Sequence, residues 1–283
     1  MIRTALAVLA ASALLGASPH APDGPDPPSP YQAAVQLSGK IGSRPSASRN
    51  ERRAHQYVAR QFRAAGLDVS VNHFRVPGRG RSQNVVGKLD GPGRCLVVLM
   101  SHTDSVPPGR GAIDNASGVG VLVGLAARLA GLQPGCDVWL VATGSEERQV
   151  TGLSYHAGAA ALVKQVKAED RTADLRFALS LDEVGLGRRF YLRSPAPAVR
   201  GGVEGEILGA SRRARVTVHW SRDSGTGNSD HREFELAGLP GAVLEVWKGV
   251  FACHHLACDR ARLLQKPAMK RALRIAEEVV KGL

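Results

Sequence analysis

Between residues 95 and 246 the chain repeats one pattern: a short apolar run, a turn, then a segment with helical spacing. The runs 95–101, 137–142, 177–181 and 242–246 read as strands, and the segments 115–129, 153–166 and 203–210 read as helices. Strands that alternate with crossover helices predict an α/β fold, a mixed but mostly parallel central sheet covered by helices on both faces. Upstream, 48–65 carries Tyr57, Val58, Phe62 and Ala65 at helical spacing and stops at Gly66. The segments 67–76 and 84–89 read as strands, separated by the turn-like Pro77-Gly78-Arg79-Gly80. A further strand is expected at 215–219, and a last helix at 267–280 with proline in its first turn. No internal repeat or second linker interrupts the pattern, so one globular domain is expected over 31–283.

The start of the chain reads differently. A short positive start, the twelve-residue apolar run 5–16 and then Ala17-Ser18 have the layout of a secretory signal peptide over 1–18. Six of the sixteen prolines fall in 19–30, so that stretch reads as an extended leader rather than as helix or sheet. A secreted or periplasmic protein is therefore expected, and disulfides persist in such compartments. Cys253 and Cys258 have a spacing that a small loop can bridge. Cys95 and Cys136 each precede an apolar run, at the same end of the sheet if both runs are parallel strands. A bond between them and a pair of free buried thiols are both open on these grounds.

Composition excludes several classes. With 43% hydrophobic and 22% charged residues over 283 positions, the chain can bury a sizeable core and is not disordered over most of its length. The longest uncharged apolar stretch past the N-terminus, 118–127, is about half the roughly 20 residues of a membrane span, so no integral membrane association is expected. The formal charge is +12, but the basic clusters (Arg52-Arg53, Arg79 with Arg81, Arg188-Arg189, Arg212-Arg213 with Arg215) are short, dispersed and not interleaved with aromatics. They read as a solvated surface and not as a nucleic-acid site.

In sheets of this kind, functional groups collect in the loops beyond the carboxyl ends of the strands. The run 95–101 leads to His102-Thr103-Asp104, and the following loop reaches Asp114-Asn115 at a helix start. The second run ends in Gly144-Ser145-Glu146-Glu147, the third in Leu181-Asp182-Glu183, and the last leads to Cys253-His254-His255. Singly these are weak signals: Asp114 could be only an N-cap and the Glu pair a solvated turn. Jointly they place histidines and carboxylates at one rim, a donor set that suits zinc, and a carboxylate between two ions suits a paired site. No Gly-x-Gly-x-x-Gly follows a strand, and Ser145 lacks the Gly-x-Ser-x-Gly elbow, which disfavours nucleotide and serine-hydrolase chemistry.

The stretch Ser101-His102-Thr103-Asp104-Ser105 with Gly111-Ala112-Ile113-Asp114-Asn115-Ala116-Ser117-Gly118 resembles the first metal loop of the secreted di-zinc bacterial aminopeptidases of clan MH. Gly144-Ser145-Glu146-Glu147, Leu181-Asp182-Glu183-Val184-Gly185 and Ser229-Asp230-His231 are similar to the later blocks of that family, in order. Cys253-His254-His255-Leu256-Ala257-Cys258-Asp259 resembles its disulfide-flanked final histidine loop. The resemblance implies two zinc ions bridged by Asp114, with His102 and Asp182 on one and Glu147 and His255 on the other. It implies Glu146 as general base and Asp104 as the hydrogen-bond partner of His102. It also implies a cis peptide at Asp114-Asn115, substrates that are peptides with free N-termini, and a monomer.

Three departures from the family stand out: His254 where a tyrosine donor is common, Arg260-Ala261-Arg262 after the loop aspartate, and Glu183, read here as a solvated rim residue. His55 and His73 read as surface residues and His156 and His219 as packed or solvated ones. His231 either organises a substrate loop or follows an N-cap at Ser229 or Asp230. Other activities that the same scaffold carries are a glutaminyl cyclase-like acyltransferase and a dipeptide-type carboxypeptidase, and a catalytically inactive binding domain is a further reading.

Overall fold

The computed structural model describes residues 26–129, 131–148, 156–223, 228–246 and 251–283. The signal peptide and most of the leader expected over 1–30 therefore lie outside the described residues. The folded body begins at Ser29, whose hydroxyl and backbone N–H form a capping box with Gln32 at the start of α1 (Pro30–Val35). Pro30 is the first residue of this helix, not the end of an extended leader: its missing N–H is no loss in a first turn, and its ring packs on Gly124.

Helix α2 (Arg49–Ala64) starts at Ser48, whose hydroxyl accepts from Glu51 N, and ends before Gly66. Its inner face, Ala54, Val58, Ala59 and Phe62, is buried. His55 is buried on it as well, against the surface position expected from the sequence. A hairpin follows, β1 (Asp68–Val76) and β2 (Gly80–Leu89), antiparallel from Asp68↔Lys88 to Val76↔Gly80. The second strand is four residues longer at its start than the sequence suggests, because pairing with β1 continues to the turn.

The rest alternates as expected: β3 (Leu96–His102), α3 (Ser117–Leu129), β4 (Asp137–Thr143), α4 (Ala157–Ala168), β5 (Leu175–Asp182). Strand β6 (Phe190–Ser194) is not among the expected strands: its apolar run, Phe190-Tyr191-Leu192, is only three residues long and sits between Arg189 and Arg193. Helix α5 (Glu206–Arg213), strand β7 (Val218–Arg222, three residues later than expected), helix α6 (His231–Leu236), strand β8 (Gly241–Val246) and helix α7 (Lys266–Lys281) follow among the described residues.

The eight strands form one sheet in the order β1-β2-β4-β3-β5-β8-β6-β7. Its middle four, β4-β3-β5-β8, are parallel. Side chains alternate between two cores: Val97 and Leu99 of β3 face the larger one, with α1, α2, α3, α5 and α7. Leu96, Val98 and Met100 face the smaller one, with Leu162, Val166 and Phe234 of α4 and α6. The span Ala112–Leu129 is apolar enough to cross a membrane, but 89% of it is buried within the protein. A Cβ on Gly118 would lie 2.2 Å from Leu181 O, so this helix start reaches β5 only because glycine stands there. Both cysteine pairs are disulfides: Cys95–Cys136 joins the starts of neighbouring parallel strands, and Cys253–Cys258 closes a small loop.

Candidate metal centre

Because β3, β4, β5 and β8 run parallel, their carboxyl ends share one edge, and the loops that leave it converge. His102 is the last residue of β3 and Asp182 the last of β5. Glu146 and Glu147 follow β4 in a turn that Ser145 enters at φ 55°. Asp114 sits in the irregular entry to α3, where the Asp114–Asn115 peptide is cis. His254 and His255 come from the loop closed by Cys253–Cys258.

The Asp114 carboxylate divides between two imidazoles. Its Oδ1 is 3.1 Å from His102 Nε2, and its Oδ2 is 3.2 Å from His255 Nε2. Asp182 Oδ1 lies 3.4 Å from His102 Nε2 on one side, and Glu147 Oε2 lies 3.1 Å from His255 Nε2 on the other. Donor atoms of His102, Asp114 and Glu147 gather within 4.8 Å of one another, as do those of His102, Glu146 and Asp182. The ring of His254 stacks on that of His255 at 3.8 Å.

This donor set fits divalent ions that accept imidazole and carboxylate ligands. Asp182 Oδ1 is buried and has no hydrogen-bond partner among the described residues, although Ser229 Oγ donates to its Oδ2 at 2.8 Å. Burial, then the charges of Asp114 and Glu146, push the Glu147 carboxyl well above its usual range. Burial opposes ionisation of Asp114 too, but the hydrogen bonds from His102 and His255 hold it well below that range. Four carboxylates so crowded need positive charge among them.

Two supports differ from the sequence reading. Asp104 is 3.6 Å from His102 Nδ1, longer than a hydrogen bond. Its oxygens instead accept the backbone N–H groups of Glu146 (3.0 Å) and Glu147 (3.1 Å), so it holds the glutamate turn. Glu183 is 6% exposed rather than solvated, and His254 Nδ1 is 2.6 Å from its Oε1. That hydrogen bond raises the His254 pKa despite partial burial. His231 pairs with Asp223 at 3.1 Å, and Asp230, before α6, takes a hydrogen bond from Thr143 and makes no side-chain cap.

Three neighbours were not assigned to the site by the sequence. Ser229 supports Asp182, His156 meets Glu146, and Glu245 lines the same cavity of about 80 Å³ while Arg193 Nη1 holds its Oε1 at 2.6 Å. Ser229 lies in the Ser229-Asp230-His231 block that resembles the family, and Glu245, like the expected acids, is a carboxylate near the carboxyl end of a parallel strand.

A profile described as peptidase family M28 matches residues 84–280. Leupeptin-inactivating enzyme 1 of Streptomyces exfoliatus is 24% identical across 94% of this chain, which spans 63% of that protein's length. Among solved structures, the zinc aminopeptidase BSAP from Bacillus subtilis superposes with a TM-score of 0.77 at 16% identity, covering 90% of this chain and 95% of that one. A glutaminyl cyclase from Fimbriiglobus ruber superposes with a TM-score of 0.76 at 19% identity, covering 94% of this chain and 100% of that one. The fold is thus shared by a zinc aminopeptidase and a glutaminyl cyclase, and it does not choose between them.

Proposed function

The chain belongs to peptidase family M28, and from that premise we propose that it is an exported zinc-dependent aminopeptidase acting on peptides with a free α-amino group. The observation that carries the reading is the division of the Asp114 carboxylate between His102 and His255, with Asp182 and Glu147 on the outer sides. In this reading Asp114 would be shared between two zinc ions, with His102 and Asp182 holding one and Glu147 and His255 the other. The ions, when bound, supply positive charge that lowers the pKa of an attacking water and polarises the scissile carbonyl.

Glu146 accepts a proton from that water and delivers it to the leaving amine. Asp104 keeps the Glu146-Glu147 turn in place through both backbone N–H groups. His254 has its Nδ1 engaged by Glu183; its Nε2–H donates to the oxygen on which negative charge develops. Carboxylates on the rim receive the substrate's ammonium group. The two disulfides support export. The proposal includes a signal peptide over 1–18, a leader over 19–30, a catalytic domain over 31–283, and a monomeric state.

The test is release of chromophore from a leucine anilide with a free amine, beside its N-acetylated form, with Glu146→Ala and a zinc chelator as controls and the zinc content counted. Turnover of the free-amine substrate only, lost in both controls, with two zinc ions per chain, supports the reading. A zinc-loaded chain that cleaves neither anilide overturns it in favour of cyclase or carboxypeptidase chemistry.

A further inference from the structure

His156 stands nine positions past the metal-rim glutamates in sequence, yet its ring closes on them. Its Nε2 is 3.0 Å from Glu146 Oε1, and its Nδ1 is 3.4 Å from Glu233 Oε1 on α6. The residue is 1% exposed. Two backbone bonds sew the same segments together: His156 N donates to Glu146 O at 2.8 Å, and Ala157 N donates to Ser145 O at 3.0 Å. Gly158 makes that approach possible, since a Cβ there would lie 2.3 Å from Gly144 O.

We propose that His156 is a positioning residue for the general base: anchored by Glu233, it holds one oxygen of Glu146 so that the other faces the attacking water. The inference rests on the reading of Glu146 as the base. Three side-chain torsions leave a glutamate many rotamers, and ordering it costs conformational entropy. A base displaced by about 1 Å loses on the order of a hundredfold in rate. A buried imidazole fixed at both nitrogens removes that freedom before substrate arrives.

The backbone supports the assignment. His156 has φ 54°, ψ 38°, the left-handed region that non-glycine residues rarely occupy. The main chain holds it there, directly before α4, and from that position the ring reaches Glu146. Its charge state agrees with the geometry. Burial alone would lower the His156 pKa, but Glu146 and Glu233 outweigh it and push it up to about 10, so both ring nitrogens donate. Glu233 is in turn held by Arg232 Nη1 at 2.9 Å.

The experiment compares His156→Phe, His156→Gln and Glu233→Leu with the wild type and Glu146→Ala, measuring kcat, KM, zinc content and thermal midpoint. His156→Phe is expected to lower kcat about a hundredfold with KM and zinc content little changed. His156→Gln keeps a donor at the same reach, and is expected to recover kcat to within about tenfold of wild type. Glu233→Leu, on a half-exposed helix, is expected to lower kcat about tenfold and decides the matter if His156→Phe does not fold. In the zinc-free protein, a low-field imidazole N–H resonance is expected that is lost in His156→Phe and displaced in Glu146→Ala.

Unchanged kcat in His156→Phe, or equal losses in the Phe and Gln variants that track zinc content or thermal midpoint, overturns the assignment. Activity retained in Glu146→Ala would instead sink the underlying reading of the base. The two failures are therefore distinct.

Discussion

Asp259 and Asp114 meet across 145 positions of sequence: Asp259 Oδ2 accepts the backbone N–H of Asp114 at 3.2 Å. The other oxygen of Asp259 accepts from Ala112 N (3.0 Å) and Ile113 N (2.8 Å). Asp259 follows Cys258 directly, so the disulfide-closed loop that carries His255 and the turn that carries Asp114 are one mechanical unit. Two donor groups that must face each other are fixed by a third residue that touches neither imidazole.

Replacing Asp259 with alanine strands three backbone donors at a buried turn. Each unsatisfied group costs about 1–3 kcal/mol, so Asp259→Ala is expected to lower stability by several such steps and to weaken zinc binding as well. Asp259→Asn keeps one acceptor and should lose less of both. Denaturant titration of the zinc-free variants and competition against a chromogenic chelator measure the two effects; an Ala variant with wild-type zinc affinity would show that the link is not needed.

Arg44 is the second buried support. Its guanidinium is fully buried and donates to five carbonyls: Thr103 (2.7 Å), Gly42 (2.8 Å), Leu37 (3.3 Å), Arg110 (2.7 Å) and Gly111 (2.8 Å). Burial lowers its pKa to about 10, opposed by Asp259 and Asp104, so it stays cationic at neutral pH. Arg44→Met is expected to destabilise the fold by about 3 kcal/mol or more, because the carbonyls lose their donor together. Arg44→Lys should fall nearly as far, since a point ammonium cannot span the fork. A lysine variant with the wild-type thermal midpoint would argue against this account.

His55 makes stability depend on pH in a defined direction. The side chain is fully buried with Nε2 3.4 Å from Thr143 O, and burial lowers its pKa to about 4. The carbonyls of Thr143 and Glu51 and the charge of Asp104 work against that shift, while His73 adds to it. Unfolding returns the ring to about 6.5, so between pH 6.5 and 4 the unfolded chain binds more protons than the folded one. The contribution is complete above pH 6.5 and is lost as pH falls toward 4, by at most about 1.4 kcal/mol per unit. In zinc-free protein, His55→Gln is expected to flatten the slope of unfolding free energy over that window. Parallel slopes for the variant and the wild type would remove His55 as its source.

Much of this was legible in the linear order of residues. A parallel strand carries its side chains to one rim, so His102, Glu146, Glu147 and Asp182, each at or just past the end of an apolar run, had to approach one another once β3, β4 and β5 paired. The cysteine-bounded spacing around His255 and the Asp114-Asn115 helix entry were equally local. Strand β6 escaped because its burial alternates, with Tyr191 and Arg193 half-buried between Phe190, Leu192 and Ser194, so its apolar run is only three residues long. His55 was misplaced for a related reason: it lies on the inner face of α2, where Thr143 waits in a strand 88 positions away.

What the sequence determined by itself was therefore the set of candidate site side chains and the edge on which they gather, because residue type and the apolar runs that end in them are local properties. Tertiary structure alone decided their supports: Asp104 on the glutamate turn rather than on His102, Glu183 on His254, Ser229 on Asp182, and His156 on Glu146. Those contacts depend on loop trajectories and on the close approach of elements far apart in sequence. No periodicity encodes such distances; they exist only once the sheet has brought its loops together.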